Sequence, residues 1–231
     1  MDRTSGVAHD CRSCYTEKAM VRILYENDEI LVIDKPAGLA SQPGEAVGAH
    51  VVQVLEAQLG MAPYLVHRLD RDTAGCMVLA RNPAAASRWS RLIAGREVRK
   101  RYLAWVAGAP SRSSGTIDLP LEGSRGMQEA CTLYRLRETC MLSDATLPSD
   151  FRCSLLELEL RTGRMHQIRR HLASLGLPII ADDRHGDFQL NRVLRKLLSA
   201  KRLLLRRQLH VVRDHALHKL FEPDPRLPPK P

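Results

Sequence analysis

Residues 67–75 read His-Arg-Leu-Asp-Arg-Asp-Thr-Ala-Gly and hold the carboxylate best placed to do chemistry. Asp70 stands between Arg68 and Arg71, and positive charge close by favours the ionised form of a carboxylate. An ionised carboxylate serves as a nucleophile, a general base or a metal ligand. Asp70 and Asp72 alternate in an extended segment, so together they also suit a hard cation such as Mg²⁺, as in a nuclease. A solvated turn with ordinary ion pairs is the plainest reading. Residues 161–170, Arg-Thr-Gly-Arg-Met-His-Gln-Ile-Arg-Arg, are a second concentration of polar side chains. His166, at the start of an apolar-faced helix, reads as structural rather than catalytic.

These residues need a frame. Leu65 and Val66 precede the first stretch and Met77, Val78 and Leu79 follow it, so a charged loop lies between two strands. Loops held by rigid strands are where chemistry concentrates. Upstream, residues 22–26 and 30–34 read as strands around the turn residues Asn27 and Asp28, closed by Lys35-Pro36. Residues 50–59 carry Val51, Val54 and Leu55 at helical spacing, and Gly60 stops them. Asn82 and Pro83 form an N-cap and a first helical residue for a helix running to Gly95. A basic run over residues 96–101 then leads into a strand beginning at Tyr102, and the run is either a solvated surface or a phosphate contact. Residues 111–115 read as a polar linker and residues 116–121 as a strand. Residues 130–137 and 151–161 alternate as two further strands, with a loop over 138–150 between them. Residues 165–175 have a helical period ending at Gly176, residues 177–181 form a short buried strand, and residues 182–186 form a loop. The alternating runs make the fold α/β in composition (α+β), with a mixed, mostly antiparallel sheet and flanking helices.

The whole chain narrows the partners. Its 231 residues suffice for one good core. One domain over residues 21–222 is expected, with a loose tail at 1–20 and a Pro-rich tail at 223–231. Lysine and arginine total 35 against 26 acidic residues, a net charge of +9, which points to a polyanion such as nucleic acid. No run approaches the roughly 20 apolar residues of a membrane span, so a cytoplasmic location is expected. Cys11 and Cys14 form a Cys-x-x-Cys, but no second pair completes a zinc site. No metal is expected there.

The two polar stretches together resemble a known family. Gly163 to Arg169 matches Gly-Arg-x-His-Gln-Ile-Arg, and His67 to Gly75 matches His-Arg-Leu-Asp-x-x-Thr-Ser-Gly, with Ala74 in place of the serine. Both are signatures of the RluA-type pseudouridine synthases, here in the family's order. The segment YENDEILVIDKPAGL resembles the family's opening hairpin, and the run from Thr116 to Leu121 its G-x-I-x-x-P-L segment. The resemblance implies a catalytic cleft across the sheet and isomerisation of uridine to pseudouridine in RNA. That reaction breaks the bond from N1 to the ribose, turns the base and rejoins it through C5. Nothing is added or lost, so it needs a nucleophile but no cofactor and no metal.

Carried over residue by residue, the resemblance makes Asp70 the nucleophile, attacking C6 of the base or C1′ of the sugar. Arg164 matches the arginine that balances and aims it, since a guanidinium pairs with a carboxylate through two parallel bonds. Tyr102 matches the tyrosine that stacks on the target base. Taking the C5 proton is a second role open to it, against a free phenol value of about 10. Arg68 matches the arginine that holds the flipped base or fills its place, with a surface ion pair to Asp70 or Asp72 as the alternative. Lys100, Arg101, Gln167, Arg169 and Arg170 are candidates for RNA or hydrogen-bonding contacts. His185 stands where most relatives have tyrosine, and the run from Thr162 to Arg192 is similar to a branch acting on tRNA. That branch implies a paired T-stem uridine, at position 65, which must be flipped out to react. Ribosomal RNA is the near alternative as substrate, and an RNA-binding protein without catalysis another. A monomer is expected. The chain departs from the family at 202–207, Arg-Leu-Leu-Leu-Arg-Arg, where relatives usually read Arg-Leu-x-Leu-His-Ala.

Overall fold

The computed structural model describes residues 20–44, 48–95 and 97–211, the last three of them as backbone only. The Cys11 and Cys14 pair, the N-terminal tail apart from Met20, and the Pro-rich C-terminal tail lie outside the described residues. The chain opens with strands β1 (Arg22–Glu26) and β2 (Ile30–Lys35). Asn27 makes their turn, its Oδ1 accepting from the backbone of Glu29 at 2.9 Å and of Ile30 at 2.8 Å. Helix α1 (Val51–Leu59) is capped by the His50 ring and ends at Gly60, whose φ of 73° is left-handed. Strands β3 (Tyr64–Leu65) and β4 (Ala74–Ala80) bracket the charged loop, and α2 (Pro83–Ala94) starts from the Asn82 cap. Then come β5 (Val98–Ala107), β6 (Ser114–Asp118), β7 (Leu121–Gly123), β8 (Gly126–Gln128), β9 (Cys131–Met141) and β10 (Arg152–Leu160). Helices α3 (Gln167–Ser174) and α4 (Phe188–Leu197) lead to the last strand, β11 (Leu205–Val211).

Nine of these strands make one sheet among the described residues, in the order β1-β2-β4-β11-β5-β10-β9-β6, with β3 on β4. All its ladders are antiparallel except β11 with β4. One face carries the main core, where Leu31, Ile33, Met77, Leu79, Leu156 and Leu158 pack with Val51 and Leu55 of α1 and Ile168 and Leu172 of α3. On the other face Ile30, Val32 and Val78 pack with Ala85, Trp89 and Ile93 of α2. Central strands covered on both sides read as apolar runs, as β2 does from Ile30 to Ile33. Helix α4 places Leu194 in a third cluster with Ala107, Cys153 and Ile180.

Several elements differ from the sequence expectation, and pairing explains each. Strand β5 starts at Val98, inside the basic run, because β10 and β11 offer it partners as far as Lys100 and Val98 respectively. Its basic side chains then alternate between faces, with Lys100 and Arg101 on opposite sides. Strand β9 runs on to Met141 because β10 supplies Arg152 as its partner there. The expected strand at 116–121 breaks at Pro120, which separates β6 from β7. Residues 177–181 join no ladder, and Ile179 makes only an isolated bridge to Val106. Helix α4 has no counterpart in the expectation; Asp187 caps it by accepting from Leu190 N at 3.0 Å.

Gly75 is indispensable to this sheet. Its φ is +111°, and a Cβ there would lie 2.3 Å from Arg207 O and 2.7 Å from Arg207 N on the neighbouring strand. Backbone atoms in a ladder cannot step aside as a flexible side chain does. Gly75→Ala is therefore expected to cost roughly 3 kcal/mol, from backbone strain together with overpacking. Urea denaturation of the variant against the parent protein measures it, and a loss under about 1 kcal/mol would contradict this account.

Candidate active site

The loop between β3 and β4 is held from beneath. Lys35, at the end of β2, is fully buried. Its ammonium donates to the carbonyls of Leu39 at 2.8 Å, Arg71 at 2.9 Å and Pro36 at 3.0 Å. Those three bonds use every N–H it has. Gly38 N adds a second bond to the Arg71 carbonyl, at 2.8 Å. Ser41 Oγ donates to Leu69 O at 2.7 Å and accepts from Leu69 N at 3.1 Å. Leu69 turns into the main core, while the Asp70 side chain stays one-third exposed. Burial pushes the Lys35 ammonium down from its ordinary 10.5 to about 8, against the opposing pull of Asp72 and Asp70.

Asp70 faces the second stretch across a cavity of about 280 Å³, lined also by Arg68, Lys100, Tyr102, Arg164, His166 and Arg169. His166 sits at φ 52° just before α3, and its Nε2 is 3.8 Å from Asp70 Oδ2, beyond hydrogen-bond length. Its Nδ1 lies 3.0 Å from His185 Nε2, and the two rings meet edge to face. Burial lowers the proton affinity of both rings. Arg169 is almost wholly buried and makes a two-bond pair with Asp182, at 2.8 and 2.7 Å. Its charge is balanced by Asp182 and, less strongly, by Asp70 and Asp72. Tyr102 is buried on β5; burial raises the pKa of its phenol, Arg207 partly opposing and Asp70 adding to the rise.

The expected site residues do not all meet. Arg68, Lys100, Tyr102, Arg164, Gln167 and Arg169 join Asp70 around the cavity. Arg164, expected as the partner of Asp70, turns its Nε to the Glu129 carbonyl at 3.0 Å, and among the described residues the two form no ion pair. Gln167 has no group to spare for RNA. Its amide accepts from Thr162 Oγ1 and Arg164 N and donates to Cys131 O and Thr132 Oγ1. Arg101 projects from the opposite face of β5 and pairs with Glu159 at 3.4 Å and Glu157 at 3.6 Å. Arg170 is engaged with the Glu122 carbonyl. Sequence reasoning misses Lys35, Ser41, Asp182 and Arg207 as parts of the site. Lys35 leaves one trace in the sequence, a lone cation ending an apolar strand. A second cavity, of about 790 Å³, shares Asp70, His166 and Arg169 with the first and adds Arg71, Arg184, Arg195, Lys201 and Arg202.

This fold and site define an RNA-modifying enzyme. Residues 29–174 match the family model described as RNA pseudouridylate synthase, and the chain belongs to that family. It is thus an isomerase that converts uridine to pseudouridine. The chain is 34% identical over 203 residues to tRNA pseudouridine synthase C of Vibrio vulnificus, covering 80% of this chain and 82% of that one. It is 37% identical over 182 residues to ribosomal large subunit pseudouridine synthase D of Xanthomonas campestris, covering 72% and 52% respectively. Among solved structures, human RNA pseudouridylate synthase domain containing 1 is similar with a TM-score of 0.68 at 25% identity, covering 83% of this chain and 78% of that one. Family membership decides against the nuclease alternative.

Two measurements test the supports of the site. A lysine whose value falls on folding is bound less tightly to its proton in the native state. The unfolded chain then holds more protons between about pH 8 and 10.5, and stability rises with pH across that window. Lys35→Met abolishes this rise, so unfolding curves of parent and variant should diverge there; parallel curves would show that no proton is linked. Arg169→Met leaves the buried Asp182 carboxylate without its counter-charge and should cost about 3–5 kcal/mol in chemical denaturation. A loss below about 1 kcal/mol would show that the pair is not needed.

Proposed function

We propose that the protein isomerises a uridine in the T stem of tRNA, at position 65, with Asp70 as the nucleophile. One observation carries the chemical part of this reading. Asp70 is the carboxylate common to both cavities, on a loop clamped to the sheet, and Tyr102 lines the smaller cavity with it. A preorganised carboxylate spends no free energy on finding its place when the base arrives. It attacks C6 of the uracil or C1′ of the ribose, and the covalent intermediate divides the base exchange into two easier steps. Tyr102 stacks on the flipped base.

Arg169, locked by Asp182, is a fixed cation lining the same cavity as Asp70. Arg164, on the cavity wall but turned outward, and Arg68 meet the RNA instead. The larger cavity supplies Arg71, Arg184, Lys201 and Arg202 for the phosphates on either side of the flipped nucleotide. Phosphate contacts from loops suit recognition of an RNA helix by shape, because its deep, narrow major groove admits no side chains. The choice of tRNA over ribosomal RNA rests on the relatives. Those named tRNA pseudouridine synthase C match along most of their length, whereas the ribosomal relative is matched over about half of its own.

Purified protein, with EDTA present, is to be incubated with unmodified tRNA transcripts and with ribosomal RNA fragments, and pseudouridine mapped. Product in the T stem is the expected result, with binding that weakens steeply as salt rises. Product in ribosomal RNA alone would overturn the tRNA assignment, and no product in either, or in cellular RNA, would leave a non-catalytic RNA binder. Asp70→Asn keeps the shape of the side chain but not its nucleophilicity. Turnover should fall roughly a thousandfold or more with RNA affinity and melting temperature nearly unchanged. Residual activity within tenfold of the parent would remove Asp70 from the nucleophilic role.

A further inference from the structure

Arg207 is a buried cation with no acid paired to it among the described residues. It lies in β11 at 2% exposure, and its Nε and Nη2 have no hydrogen-bond partner among the described residues. Its Nη1 approaches the His67 ring, 2.8 Å from Nδ1 and 3.3 Å from Nε2. That contact cannot satisfy it. His67 Nε2 already accepts from Val78 N at 3.1 Å, burial and Arg207 itself keep the ring neutral, and a neutral imidazole has one acceptor nitrogen. Its neighbours on the sheet are treated differently. Arg206, one residue earlier and so on the other face, pairs with Asp34 at 2.6 Å, and Arg169 has Asp182.

In the antiparallel ladder Arg207 is the direct partner of Tyr102, so their Cβ atoms share a face about 5 Å apart. Arg207 does not line the cavity, whereas its contact His67, its ladder partner Tyr102 and Leu205 of the same strand do. We propose that Arg207 is an electrostatic positioning residue for Tyr102, a fixed cation behind the ring that stabilises its phenolate and equips it to take the C5 proton. The proton step rests on the isomerase reading above. Once the ribose is joined at C5, the C5–H bond breaks, its proton goes to the phenolate oxygen, and its electron pair forms the C5=C6 double bond. The pair displaced from C6 leaves with Asp70 if that carboxylate reacted there. If it reacted at C1′, the pair moves to N1; in either case N1, which left the ribose with its electron pair, takes a proton from water. The phenol then returns its proton to solvent.

The other groups around Tyr102 make this charge necessary. Asp70 disfavours a phenolate, and so does burial. His67 brings no charge, Arg169 is buried but neutralised by Asp182, and Lys100, Arg68, Arg164 and His166 stand around the open cavity, where water and RNA phosphates screen them. Arg207 is screened least.

The test begins without RNA. Ultraviolet titration of phenolate, taken as the difference from Tyr102→Phe, isolates Tyr102. Arg207→Met and Arg207→Gln should each shift that titration upward by about one pH unit or more, and Arg207→Lys should recover most of the shift. In single turnover on RNA the rising limb of the pH profile should move by the same amount. The rate at pH 7 should then fall about tenfold and recover at higher pH. An unchanged phenolate titration in both neutral variants would overturn the proposal. Failure of both to fold would also overturn it, since a residue without partners should leave none stranded when removed. A shifted titration with no pseudouridine from any RNA would sink the isomerase reading and the proton step while leaving the coupling of Arg207 to Tyr102 intact.

Discussion

Lys35 is withdrawn from solvent at the end of β2, and each of its three N–H bonds ends on a carbonyl, those of Pro36, Leu39 and Arg71. Burying an ammonium costs several kcal/mol. Hydrogen bonds from a charged group contribute about 1.5–3 kcal/mol each, so three good ones offset that cost only if the two loops stay where they are. The clamp therefore stabilises one arrangement of the Asp70 loop over its alternatives. Ser41 reinforces it by bonding both backbone groups of Leu69, the residue just before Asp70. The loop is exposed at its tip and rigid at its base, as a preorganised carboxylate requires.

The position of β11 gives the site its width. Neighbouring strands lie about 4.8 Å apart, so β4, which follows the Asp70 loop, and β5, which carries Tyr102, stand about 10 Å apart with β11 between them. Leu205 of that middle strand lies on the cavity floor. The parallel pairing of β11 with β4 also demands Gly75, where the two backbones come close.

Charge is distributed with the same economy. Buried cations are anchored before they act: Lys35 by carbonyls and Arg169 by a carboxylate that also accepts from Arg184 N and His185 N. The exposed arginines and lysines around the larger cavity remain on loops, where they can follow an RNA backbone. Among the described residues Arg207 differs from Arg169 and Arg206 in being without an acid, and it is the ladder partner of Tyr102, whose charged form needs support.

Much of this was legible in one dimension. The period of two at Leu156 and Leu158, the helical spacing of Val51 and Leu55, and the Asn82-Pro83 start of α2 are local signals, and local signals survive folding. The two polar stretches singled out Asp70, Arg164 and Arg169 and the family resemblance Tyr102, and the fold brings all four to the lining of one cavity. What the sequence could not decide was direction and partnership. Arg101 and Tyr102 are adjacent in the chain yet face opposite sides of the sheet, a choice settled by the register of β5 with β10. Arg164 and Arg169 belong to one motif, but the buried Asp182, reached only through the packing of α3, makes Arg169 the anchored cation. Lys35 and Arg207 gained their surroundings from residues 36 and 140 positions away. The burial that gives each its importance exists only once the sheet has closed around it.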